Sequence, residues 1–130
     1  MADLKPDDVL RSFGSEPGVT ISNTGDACVL VLVRDSITIT ITAVPSVVEW
    51  HVEVADAAAE RDPIHDWCDY VGYDATPRDD LTRDMATDLR DFLDCLIARP
   101  LRFAVRNKPI LEWQTAGEWR QAVPLAPADN

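Results

Sequence analysis

A chain of 130 residues with 46% apolar side chains and a net charge of −11 has the size of one domain and enough material for a core without metal or disulfide support. No apolar run approaches the ~20 residues of a membrane-spanning helix, and the first residues lack the charged-then-apolar pattern of a secretory signal, so the cytoplasm is the expected compartment. A field this negative disfavours nucleic acid and anionic membrane as partners and favours basic proteins.

Residues 4–13 are expected to form a short helix with Val9, Leu10 and Phe13 on one side, ended by Gly14 and a Glu16-Pro17-Gly18 turn. Val19 and Ile21 begin a short edge strand, closed by a polar turn over 22–26. Residues 28–33 are apolar at every position, which reads as a central strand covered on both faces. Arg34-Asp35 turn the chain into residues 36–42, where Ile37, Ile39 and Ile41 point inward and threonines alternate with them outward. Beyond Pro45, Val48, Trp50, Val52 and Val54 alternate with Glu49, His51 and Glu53. Together these segments predict a three- or four-stranded antiparallel meander with one polar face.

Residues 62–71 read as a short helix. Asp62 suits its N-cap, Pro63 its first position and Gly72 a left-handed end. Ile64, Trp67, Cys68 and Val71 would form the buried stripe. Asp66, Asp69, Tyr70, Tyr73 and Asp74 are then left outside. A long helix follows between Thr76 and Pro100, with Thr76 as cap, Pro77 at the first position and Asp79 reaching back. Leu81, Met85, Leu89, Phe92, Leu93 and Leu96 share its core side. Asp80, Asp84, Asp88, Asp91 and Asp94 share the other. Leu101, Phe103 and Val105 alternate into another strand. Asn107-Lys108-Pro109 turns it into residues 110–115, and Ala116-Gly117 leads to a last strand around 119–123. The tail from residue 124 is expected to be loose. Trp50, Trp67 and Trp113 are assigned to the core and Trp119 to partial exposure. The architecture predicted is a single α+β domain over 1–130. A curved antiparallel sheet of about five to seven strands carries a short and a long helix on one face.

The aspartate stripe is the strongest functional signal. Aspartate is a poorer helix residue than glutamate, and like charges at i, i+4 cost a further 0.2–0.5 kcal/mol or so per pair. Codon bias or salt adaptation accounts for a total of 17 Asp against 6 Glu, but neither requires five aspartates on one helical face. Residues 56–94 carry a charge of −8, and residues 95–130 carry +2. Tyrosines beside these acids supply rigid area for an interface.

Reaction chemistry has less support. Two histidines and the lone His65-x-x-Cys68 spacing do not make a zinc site, and carboxylates along one straight helix face diverge too far for magnesium. Cys28, Cys68 and Cys95 contain no C-x-x-C, so free thiols are expected. No nucleophile elbow, phosphate loop or dinucleotide fingerprint occurs. No enzyme activity, metal or cofactor is therefore expected.

In general character the chain is similar to bacterial immunity proteins that neutralise toxins, and to acidic α+β secretion chaperones. No motif carries either likeness. The leading expectation is a non-enzymatic binding module that blocks a basic protein such as a toxin. Its surface would comprise Asp66, Asp69, Tyr70, Tyr73, Asp74, Asp80, Asp84, Asp88 and Asp91. The alternatives are a chaperone-like homodimer and a domain whose acidity is only compositional.

Overall fold

The computed structural model describes residues 5–58, 63–70, 77–105 and 109–122. In chain order it contains α1 (Pro6–Ser12), β1 (Val19–Thr24), β2 (Ala27–Arg34), β3 (Ile37–Val44), a 3-10 turn (Pro45–Val47), β4 (Glu49–Asp56), β5 (Ile64–Asp69), α2 (Arg78–Ala98), β6 (Leu101–Val105), β7 (Pro109–Thr115) and β8 (Glu118–Gln121). The fold is α+β. Its strands form two antiparallel sheets, β1-β2-β3-β4-β5 and β6-β7-β8.

The expected single sheet of five to seven strands is thus eight strands in two sheets among the described residues. The two sheets are separated in sequence by α2, whose 21 residues span about 30 Å along the axis.

The isoleucine–threonine alternation sets the register. Ile39 pairs with Leu32 on one side and Val54 on the other, and Ile41 with Leu30 and Val52. All six are buried. α1 adds Val9 and Leu10 to the same core, α2 adds Met85, Ala86, Leu89, Phe92, Leu93 and Leu96, and β7 adds Leu111 and Trp113. Among the described residues nothing roofs the opposite face of the first sheet, contrary to the expectation for residues 28–33. Cys28, Leu30 and Leu32 are buried, Val29 and Val31 are half-buried, and Val33 is 49% exposed. The outward valines pair with threonines, Val31 with Thr40 and Val33 with Thr38, so that face remains largely polar.

The short helix expected over 62–71 is a strand. β5 pairs antiparallel with β4, placing Cys68 opposite Trp50, Asp66 opposite Val52 and Ile64 opposite Val54. Ile64, Asp66 and Cys68 are half-buried, whereas His65, Trp67 and Asp69 are exposed. Trp67, assigned to the core from helical spacing, is 61% exposed. So short a segment gains little from helix formation because nucleation is costly. β4's free edge offers ready hydrogen-bond partners instead. Asp62, Val71 and Gly72 lie outside the described residues.

Two close contacts fix the frame around the sheet. Gly18 has φ +80, and a Cβ there would lie 2.5 Å from the Val33 carbonyl oxygen, so the β1–β2 ladder ends against a residue that must be glycine. At the far end of α2, Arg34 donates from Nη1 to the carbonyls of Leu96 (2.8 Å) and Arg99 (3.1 Å), and from Nη2 to that of Ile97 (3.3 Å). The helix has no basic residue in its own last turn, so Arg34 supplies the cation that its carbonyl end favours. At the other end Pro77, expected at the first helical position, is the N-cap, so the helix starts one residue later than expected, with no side-chain cap bond. Thr76 lies outside the described residues.

Candidate functional site

Alternation along β4 turns Trp50 inward, where it is fully buried. A buried indole N–H needs an acceptor, and Nε1 finds the Tyr70 hydroxyl at 3.0 Å. That hydroxyl donates in turn to Asp88 Oδ2 at 2.7 Å. Tyr70 is itself tied down, its backbone N–H donating to the Val48 carbonyl at 3.2 Å. Val48 holds a left-handed backbone, φ 50, with its side chain wholly buried. A β-branched residue is disfavoured there, so surrounding packing holds the turn that leads into Trp50.

The relay from Trp50 through Tyr70 to Asp88 forms one wall of a cleft of about 370 Å³. Cys68, Asp91, Phe92, Cys95 and Trp113 complete it. Phe92 lies between the two indoles, 5.4 Å from Trp50 and 5.9 Å from Trp113 in tilted arrangements. Arg99 places its guanidinium 5.8 Å from the Trp113 ring centroid and hydrogen-bonds Thr115 Oγ1. The cleft therefore has an aromatic floor, thiols on its sides and two aspartates at its mouth. Among the described residues, none that lines it is cationic.

Burial sets the protonation of the walls. It pushes the Cys68 thiol up to about 11, with Asp66 and Asp88 adding to the shift. Burial also raises the Tyr70 phenol well above its usual value. Asp88 reinforces that shift and the Trp50 hydrogen bond opposes it. Both groups are neutral near pH 7, so Tyr70 can act as donor to the carboxylate.

The stripe on α2 lies on the side opposite the core residues. Asp84, Asp88, Asp91 and Asp94 are exposed. Asp80 is half-buried and meets Arg83 at 3.4 Å. Among the described residues, Asp84, Asp91 and Asp94 have no hydrogen-bond or ion-pair partner. Asp88 and Asp91 come together with Tyr70 at the cleft, while Asp84 and Asp94 lie outside it. Asp66 lines up with the inward side of β5, and Asp69 with its outer side. Tyr70, expected as an exposed anchor, is half-buried with its hydroxyl engaged, because the strand geometry turns it toward α2. Tyr73 and Asp74 lie outside the described residues.

Sequence periodicity alone assigns Trp50, Trp113, Phe92 and Cys68 to the core and does not bring them together with Cys95 in a site. The helical offsets Asp88–Phe92 and Asp91–Cys95 were the available signal: each puts an acid one turn from an apolar cleft residue. Among the described residues, no group of three or more His, Cys, Asp or Glu side chains is placed to hold a metal ion, and no helix is long and apolar enough to cross a membrane. The chain matches no family model, no curated protein and no solved structure.

Proposed function

We propose that this protein is a non-enzymatic binding module that docks its acidic α2 face on a basic protein and blocks it, in the manner of an immunity protein or inhibitor. One observation carries the reading: α2 buries its apolar side completely from Met85 to Leu96 while Asp84, Asp91 and Asp94 stand exposed and unpaired among the described residues. Like charges at this spacing weaken a helix, and a helix kept only for packing has no use for them. Their field accelerates encounter with an opposite charge and fixes orientation.

The test begins with affinity capture from the native host and identification of the bound protein. Association kinetics are then compared for the wild type and Asp84→Lys/Asp94→Lys. Reversing these charges is expected to slow association about tenfold or more at low salt and to flatten its salt dependence. The folded state should be untouched. An unchanged on-rate with the captured partner removes the helix face from the interface. A partner captured as an unfolded effector segment, bound to a dimer of this chain, favours the secretion-chaperone reading instead.

A further inference from the structure

We infer that the cleft between β5, α2 and β7 receives one cationic side chain, an arginine, from the basic partner. The inference rests on the acidic-module reading and says where on that surface specificity is generated.

The cleft differs from the rest of the acidic face in being built before anything binds. Asp88 is oriented by the Tyr70 hydroxyl at 2.7 Å, and that hydroxyl is oriented by Trp50 Nε1 at 3.0 Å. Among the described residues only one carboxylate oxygen is used, so Oδ1 remains for a ligand. Asp91 stands one turn further along and has no partner among the described residues. Two carboxylates at i, i+3 present acceptors to the separate N–H groups of a planar guanidinium, which a compact ammonium matches less well.

The lining suits the remainder of such a side chain. Phe92, Trp113 and the two thiols offer apolar contact to a methylene stem. Trp113 already carries the Arg99 guanidinium at 5.8 Å, so an aromatic wall of this site tolerates that group in the folded chain. A volume of about 370 Å³ accommodates one long side chain rather than a peptide segment. Among the described residues no cationic side chain lines the cleft itself, and Arg99 stands against one of its walls, Trp113.

The experiment is amide and indole NMR of the full chain, titrated with acetyl-Gly-Arg-Gly-amide. The matched peptides carry citrulline, which is neutral and nearly isosteric, or lysine, and methylguanidine is titrated alone. Saturable shifts are expected at the indole N–H groups of Trp50 and Trp113 and at the amides of Asp88 and Asp91. Citrulline should bind about tenfold more weakly or worse, and lysine less tightly than arginine. Asp91→Asn should weaken the arginine peptide about fivefold. Asp84→Asn, the same change in charge outside the cleft, should shift it less than about twofold.

Several results overturn the proposal: no saturable shift, citrulline equal to arginine, lysine tighter than arginine, or Asp84→Asn as damaging as Asp91→Asn. Methylguanidine binding as tightly as the peptide makes a free small cation the occupant and also overturns it. The two readings fail separately. Loss of partner association in Asp84→Lys/Asp94→Lys with no peptide binding keeps the acidic face and removes the cleft. Peptide binding as expected, with partner association indifferent to helix charge, removes the docking face instead.

Discussion

Tyr70 serves two neighbours with one oxygen. It accepts from a wholly buried indole and donates to an exposed carboxylate. Tyr70→Phe keeps the ring and leaves Trp50 Nε1 without an acceptor, which is expected to cost about 1–3 kcal/mol in urea denaturation. An unchanged midpoint would mean that the indole finds water or another acceptor. Cys68 gives a pH signature at the same wall. Its thiol has a higher affinity for its proton in the folded state, with a value of about 11 against 9.0 for the free group. The resulting stabilisation is fully present below about pH 9 and is lost as pH rises toward 11. The raised Tyr70 phenol acts in the same direction at high pH. Alkylation of Cys68 followed by mass spectrometry should stay slow at neutral pH and accelerate only toward the upper end of that window. Cys68→Ala should make the alkaline loss of stability shallower.

At the scale of elements, the decisive link joins the β2–β3 turn to the end of α2. Arg34 reaches three carbonyls there at 2.8, 3.1 and 3.3 Å. Arg34→Ala should destabilise the protein by about 1.5–3 kcal/mol, and Arg34→Lys should recover part of the loss because it restores charge without the planar fork. Denaturant midpoints of the three proteins check this, and an alanine variant as stable as wild type would show that water caps the helix equally well. Nothing in sequence points to this contact, which spans more than sixty positions. What was legible followed strict periods: Ile37, Ile39 and Ile41 fixed β3 and its neighbours, and Leu89 to Leu96 fixed the buried side of α2. The segment of β5 carries a misleading period: Ile64, Trp67, Cys68 and Val71 match a helical stripe, while Asp66 on the inward side of the strand spoils its alternation. Proline and glycine flanks reinforced the error. That single misassignment hid the cleft, since Cys68 and Tyr70 meet α2 only when β5 extends the sheet. The acidic stripe itself needed no tertiary information.

For the whole molecule, a net charge of −11 makes salt act in opposite senses on folding and on the docking proposed above. Raising ionic strength from about 0.01 to about 0.15 M shortens the screening length from about 30 to about 8 Å. Self-repulsion is then damped, and the melting temperature is expected to rise by several degrees, while association with the proposed basic partner is expected to slow. Thermal melts across that range check the first effect. A flat profile would indicate that the acids are internally compensated. The placement of Arg34 also bears on how the chain acquires its shape during synthesis. The meander is read out first, and each of its hairpins joins neighbours in sequence, so it can close locally with little entropy lost to long loops. When the helix emerges later, the guanidinium that receives its final carbonyls is already waiting at the rim of that sheet. The strands thus act as a template, and the helix completes its last turn by landing on them.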